Sequence, residues 1–374
     1  EIEAHIHPQA QLRVIKYLEN NINSQMILTT HSITLASVVK LQNLIVCREN
    51  QAYSLSSEYT SLSKGDYEFL ERFLDSTKAN LFFAKGVIFV EGDAENILIP
   101  TIAEIINKPL YKYGVSVVNV GNVAFLRYSN IFIRKDRTDT IGIPTSIVTD
   151  LDVRPIQYYK DKCEKDEDKE HKYTVYRVIG NNQYFVKEDD AKKRVRSILN
   201  RKSLRNNEYD DYIEKIEDDY EKYKDVVKLF KEEKYNFKDI KLFTNNWTME
   251  FDIALSCIRE YLYASVLIAE DIHENEKSLE KIKIEDFIEQ SKNDIELYKL
   301  FYNDMEIAYK IYKPLLDKKA SKAVCAQYLA KILIKEVNSN YGLIDKIIKD
   351  DYLKYIIEAI NNVTSIESEA VLND

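Results

Sequence analysis

Glycine, proline, cysteine and tryptophan are all scarce in this 374-residue chain, which has 8 Gly, 6 Pro, 4 Cys and 1 Trp. The cysteines, Cys47, Cys163, Cys257 and Cys325, lie far apart, with no CxxC pair and no His/Cys cluster at zinc spacing. That pattern excludes a disulfide framework and a zinc module and fits a reducing compartment. No apolar run reaches the ~20 residues needed to cross a bilayer, and the opening residues lack the charged-then-apolar plan of a signal peptide. A soluble, cytoplasmic protein without a membrane partner is therefore expected. A basic excess is missing as well. The formal net charge is −9, which argues against a surface that coats nucleic acid by bulk attraction but leaves room for an enzyme that holds metal ions with carboxylates. The abundance of Ile, Lys, Asn and Tyr beside so little Gly matches the bias of an AT-rich genome and excludes nothing. What is present is a chain with 45% hydrophobic and 31% charged residues, a mixture that buries a core and stays in solution. Its length implies roughly two or three domains.

The first segment reads as an αβ unit. Pro8 suits a first helical turn, and Leu12, Ile15 and Leu18 share one helical face. MILTTHS follows as a short strand breaking into a polar turn, and NLIVCREN with QAYSLS reads as a strand pair turned at Glu49-Asn50. DYEFLERFLDS returns to helical spacing. From Lys85 strands and helices alternate: GVIFV, then the helix AENILIPTIAEIIN, then the strands GVSVVNV and IPTSIVTD. Apolar strands in a βαβ order imply a mostly parallel sheet covered on both faces, with functional groups beyond the carboxyl ends of the strands. Residues 153–240 read as a charged insertion, with TVYRVI and QYFVKE as a hairpin and 188–236 as a charged helical stretch. The remainder is mainly helical, IALSCIREYLYASVLIAE and AVCAQYLAKILIKEV being its most apolar helices.

Strand GVIFV ends on Glu91, Gly92, Asp93 and Glu95. Gly92 permits a tight turn, and Glu95, four residues beyond Glu91, lies over the same face once a helix begins. The strand in IPTSIVTDLD ends on Asp150 and Asp152, which project to the same side if the segment stays extended. If the two strands are near neighbours, four carboxylates converge. Such a cluster is tolerable around divalent cations, and Mg²⁺ or Mn²⁺ prefer these hard oxygen ligands.

Glu-Gly at one strand end and Asp-x-Asp at another resembles the Toprim domain of topoisomerases, primases and some nucleases. Three further pieces, NNWTMEFDIALS, SKAVCAQYLAKIL and VVNVGN, extend the likeness to the nuclease half of the OLD (overcoming lysogenization defect) family. Met249 stands in place of the usual Leu, and Ala323 where a glycine is common. The resemblance implies an α/β fold: a Toprim-type, mostly parallel sheet flanked by helices, with a partial ABC ATPase unit before it and a mainly helical C-terminal region. Its expected boundaries are 1–80 for the ATPase part, 81–152 and 241–335 for Toprim, 153–240 for the insertion and 336–374 for C-terminal helices. It further implies a DNA endonuclease or nickase that hydrolyses phosphodiesters with two metal ions, Mg²⁺ or Mn²⁺. Glu91, Asp150 and Asp152 would hold one ion, Glu95 and Glu250 would hold or share the second, Asp252 is a weaker ligand, and Lys322 would neutralise charge on the phosphoryl oxygens. Arg127, Arg134, Lys135 and Arg137, in RYSNIFIRKDR, are candidates for a locally basic DNA groove; a charged surface loop is the plain alternative.

EIEAHIHPQ and LTTHS resemble the end of the Walker B segment, the D-loop and the switch histidine of the ABC-type ATPase that precedes Toprim in OLD proteins. Glu1 would align with the glutamate that polarises water and His31 with the γ-phosphate sensor, and Ile2 replaces the usual Pro. The chain opens on Glu1 within this motif, so a fragment of a longer protein is expected. No GxxxxGK[ST] segment occurs in these 374 residues, so no loop cradles phosphates. ATP hydrolysis is not expected from this stretch alone, while ATP binding and regulation are expected of the complete protein. Relatives include the nuclease subunit of the Gabija anti-phage system. The resemblance therefore also implies a homodimer or higher assembly, a defence role and a UvrD-like helicase partner. The competing readings are a Toprim topoisomerase or primase and a non-catalytic, ATP-dependent scaffold.

Overall fold

A computed structural model describes residues 5–121, 124–155, 157–158, 161, 224–275 and 282–365. The expected hairpin near Gly180 lies outside them, as does Glu1. The chain divides into two compact units. One comprises Glu1–Val148, Tyr235–Phe243 and Ile356–Asp374, the other Thr149–Lys234 and Thr244–Tyr355.

The first unit is built on a four-stranded sheet. Two antiparallel strands, β1 (Ile45–Arg48) and β2 (Gln51–Ser54), form a separate hairpin, and the sheet strands are β3 (Gly86–Val90), β4 (Val115–Asn119), β5 (Thr145–Thr149) and β6 (Ile240–Thr244). Their order across the sheet is β4-β3-β5-β6. Strand β3 pairs in parallel with β4, from Gly86 opposite Val115 to Val90 opposite Asn119, and with β5, from Val87 opposite Thr145 to Phe89 opposite Ile147. Every residue of β3 and β5 is buried, which explains apolar runs without alternation: both faces are covered. Phe89 stacks on Phe132 at 6.2 Å, and Phe125 meets Tyr235 edge-on at 6.1 Å.

The end of the helix Lys354–Thr364 returns to this sheet. Ser146 Oγ donates to Ala359 O at 2.7 Å, and Asn362 Nδ2 donates to Ser146 Oγ at 3.1 Å. A Cβ on Gly86 would stand 3.1 Å from both Cβ and O of Val363, so β3 begins on glycine because another backbone lies against it.

The expected helices Pro8–Asn21 and Lys64–Phe73 are present, and so is the β1/β2 hairpin, with Glu49 and Asn50 at positive φ in its turn. MILTTHS is a correction. No strand forms there, and Ile27 is 85% exposed. An extended segment needs a ladder partner for its backbone groups, and none of the described strands pairs with this one.

The second unit is helical, with Met249–Leu255, Arg259–Asn275, Ile284–Lys299, Asp304–Leu316, Lys322–Ser339 and Gly342–Lys349 as its named helices and a further helix at 224–235. IALSCIREYLYASVLIAE, read above as one helix, is broken at Ser256. That residue turns extended at ψ 176°, donates through Oγ to Ile253 O at 2.8 Å and accepts from Ile258 N at 3.3 Å. A serine that satisfies backbone groups locally competes with helix continuation. The one tryptophan, Trp247, sits against Phe251, Tyr309, Tyr312 and Tyr158, with ring centroids 4.8–6.4 Å away. No described helix is long and apolar enough to cross a membrane.

Candidate active site

Two acids belong to the first unit. Glu91 directly follows β3, and Gly92 caps the helix Asp93–Ile105 in an extended conformation. Glu95, in the first turn of that helix, folds back so that its Oε2 would stand 3.1 Å from a Cβ on Gly92. The missing side chain is what lets the carboxylate lie over the strand end. Asp93 takes another course, accepting from Asn119 Nδ2 at 2.9 Å at the end of β4. Since β3 and β5 are parallel neighbours, their carboxyl ends share one edge of the sheet. Glu91 is the first residue beyond β3 and Asp150 the first beyond β5.

The remaining acids belong to the second unit, where the segment 245–249 forms a cradle for residues 150–152. Asp150 Oδ1 accepts from the Asn245 side-chain amide and from Met249 N at 3.1 Å. Leu151 N donates to Asn245 Oδ1 at 3.0 Å, and Asp152 N donates to Trp247 O at 3.1 Å. Lys231, from the helix at 224–235, donates to Asp150 O and lies 3.5 Å from Asp152 Oδ2. Asp152 adopts a φ of +64°, and its side chain is 72% exposed. The segment is thus not extended at Asp152, and the same-side projection expected of Asp150 and Asp152 does not carry over.

Glu250 and Lys322 form the other half of the cluster. Lys322 Nζ donates to Glu250 Oε2 at 2.9 Å, and the Glu250 side chain is only 4% exposed against 43% for Lys322. Glu250 Oε1 is buried and accepts no hydrogen bond. Burial opposes the charge on Lys322, but Glu250 first, then Tyr312 and Asp150, outweigh it and raise its pKa. Lys322 also lies 5.7 Å from the ring centre of Tyr312, whose own pKa is raised, mainly by burial. Asp150, Glu250, Lys322 and Tyr312 are therefore one electrostatic group, assembled from four segments of sequence.

Asp252 does not join it. Two residues along a helix turn a side chain by about 200°, and Asp252 Oδ2 accepts from Asn246 N at 3.0 Å and Asn246 Nδ2 at 2.8 Å instead. Burial pushes its pKa up to about 7. Among the described residues, no three His, Cys, Asp or Glu side chains stand together at metal-ligand spacing, so the carboxylates are held by protein partners, not as a ready-made cage. An all-oxygen donor set with one buried, unpartnered carboxylate oxygen nevertheless fits a hard divalent cation.

The basic candidates sit on aromatic rings. Arg134 donates to Ser54 O at 3.2 Å and lies over Tyr53 and Tyr59, Arg127 lies over Phe69 and 3.4 Å from Asp66, and Arg137 lies over Phe237. Lys135 is exposed, with its backbone N–H bonded to Tyr59 O. His31 is exposed, next to the Ser32 cap of a short helix. Sequence reasoning missed Asn245, Lys231 and Tyr312. Only the position of Asn245 just ahead of the Thr-Met-Glu segment hinted at one of them.

Residues 82–152 match the domain family described as overcoming lysogenization defect protein-like, TOPRIM domain. The chain carries an OLD-type Toprim domain. The match ends on Asp152 and takes in the ends of both acid-bearing strands. The chain is 24% identical over 339 residues to endonuclease GajA of Bacillus cereus (strain HuB5-5), covering 82% of this chain and 45% of that protein. The chain thus spans less than half the length of this relative. Among solved structures, the C-terminal region of the Xanthomonas campestris pv. campestris OLD protein matches with 18% identity and a TM-score of 0.34, over 78% of this chain and 96% of that one. The C-terminal region of the Burkholderia pseudomallei OLD protein matches with 20% identity and a TM-score of 0.33, over 77% of this chain and 99% of that one.

Proposed function

We propose that this chain is the nuclease part of an OLD-type protein and hydrolyses DNA phosphodiester bonds as a metal-dependent endonuclease or nickase. The observation that carries the reading is the Asp150–Glu250–Lys322 cluster. It pairs a buried carboxylate, one oxygen of which accepts nothing, with a lysine whose side chain stays partly open to solvent. Asp252 Oδ1 is also buried without a donor, but only Glu250 sets such an oxygen beside a lysine and Asp150. The Toprim match and the similarity to an endonuclease support the same conclusion.

Glu91, Glu95, Asp150, Asp152 and Glu250 are the residues that would hold two Mg²⁺ or Mn²⁺ ions, whereas Asp252 serves the turn at Asn246. Bound divalent cations supply Lewis-acid stabilisation of charge developing on a phosphate and favour ionisation of water near neutral pH. Lys322 would place its ammonium against the phosphoryl oxygens, a role that its raised pKa keeps charged. Met249 N and Asn245 Nδ2 both donate to Asp150 Oδ1. DNA would be gripped locally by Arg127, Arg134, Lys135 and Arg137, despite the overall negative charge. In the complete protein, ATP would regulate cleavage through a site to which Glu1 and His31 contribute. Homo-oligomerisation, a helicase partner and a role in anti-phage defence belong to the same proposal.

The test is conversion of supercoiled plasmid by the full-length protein in Mg²⁺ or Mn²⁺, beside an Asp150→Ala, Asp152→Ala double variant. Metal-dependent open circles or linear DNA are expected, with activity in the variant lower by about 100-fold or more. Closed relaxed circles would point to a topoisomerase. Absence of metal-dependent cleavage by the folded wild type, or equal cleavage by the variant, would overturn the nuclease reading.

A further inference from the structure

Two consecutive asparagines precede the helix Met249–Leu255, and they do different work. Asn246 is held by Asp252, which accepts from both its backbone and its side-chain N–H groups. That contact fixes the turn and involves no group of the proposed active site except through the chain. Asn245, only 5% exposed, instead reaches 95 positions back along the sequence. Its Nδ2 donates to Asp150 Oδ1, and its Oδ1 accepts from Leu151 N. The partners fix which way the amide points, since the flipped amide would set oxygen against carboxylate and N–H against N–H.

We propose that Asn245 is a positioning residue for the cleavage reaction, setting the orientation of the Asp150 carboxylate by bridging it to the next backbone N–H. The inference rests on the nuclease reading above. An aspartate at a strand end has two freely turning side-chain bonds, and a buried amide bonded on both sides removes that freedom before substrate or metal arrives. Outer partners of this kind orient ligating carboxylates, and their loss is felt in metal affinity and turnover more than in folding. Asn246 already supplies the purely structural hold on the turn, which leaves the Asn245 amide available for Asp150.

The test uses the full-length protein with Asn245→Ala and Asn245→Asp. The aspartate variant keeps the shape and the acceptor for Leu151 N but loses the donor to Asp150, so it separates a role in the turn from a role on the carboxylate. Plasmid cleavage kinetics are measured in Mn²⁺, and Mn²⁺ affinity is measured from the electron paramagnetic resonance signal of the free ion. Both variants are expected to lower kcat by about 10-fold or more with KM for DNA within about twofold, and Asn245→Ala to weaken Mn²⁺ binding by about 10-fold. Wild-type kcat and Mn²⁺ affinity in either folded variant overturn the role of Asn245 while leaving the nuclease reading intact. If neither variant folds, Asn245 belongs to stability and the proposal falls. A wild type that neither cleaves nor binds Mn²⁺ removes the nuclease reading and the role of Asn245 with it.

Discussion

Glu250 keeps one oxygen on Lys322 and the other on no donor, inside a side chain that is 96% hidden from water. Removing its partner leaves a buried carboxylate uncompensated. Lys322→Met should therefore cost about 1–3 kcal/mol, less than a fully buried pair because Lys322 is itself partly exposed. Glu250→Gln removes the buried charge and returns Lys322 to water, so it should cost less than about 1 kcal/mol. Urea midpoints of the two variants give the order, and a larger loss in Glu250→Gln would contradict it. Asp150, Glu250 and Lys322, which the structure brings together, could be singled out in the sequence because they end a strand or sit in recognisable short segments, whereas Asp252 was singled out the same way and turns elsewhere. Asn245, Lys231 and Tyr312 were not, because an amide, a helix lysine and one tyrosine among 27 carry no motif, and the partners of Asn245 and Lys231 lie 79 to 95 positions away while those of Tyr312 lie on other segments.

At the level of elements, β3 owes its place to packing on both faces and against the returning C-terminal helix. Gly86→Ala would drive a Cβ to within 3.1–3.2 Å of Val363 and Val115, an overpacking expected to cost about 1–3 kcal/mol. Thermal melting of the variant measures it, and an unchanged midpoint would mean that the helix gives way freely. Asp75 stabilises the chain ahead of β3. It accepts from the backbone N–H groups of Thr77 and Lys78, from Thr77 Oγ1 and from Lys78 Nζ. Burial alone would raise its pKa, but the bonds from Lys78 and Thr77 outweigh burial and lower it to about 2. A depressed folded pKa contributes stability above the unfolded value near 4, and that stability is lost as pH falls from about 4 to about 2. Asp75→Ala should flatten the fall of the denaturant midpoint over that window, and an unaltered acid limb would sink this assignment. The strands β3 to β5 were readable as short apolar runs, and the helix after β3 from its spacing. The missing strand at MILTTHS and the break at Ser256 were not, because both depend on hydrogen-bond partners that local pattern does not encode.

Across the whole molecule, an acidic protein is proposed to cut an acidic polymer. The sheet of the first unit brings the ends of β3 and β5 to one edge, and within the second unit Asp150, Asn245, Glu250 and Lys322 form a lysine–carboxylate cluster. The parallel sheet and the helical remainder followed from the order of apolar runs, while the return of the last helix to β3 and β5 did not, because nothing in its amphipathic pattern names the surface it covers. The most direct measurement is anomalous diffraction from crystals of the full-length protein grown with Mn²⁺. The predicted result is anomalous density at the Asp150 and Glu250 carboxylates, beside Lys322. Mn²⁺ bound elsewhere, in a protein that still cleaves DNA, would contradict the assignment of these acids.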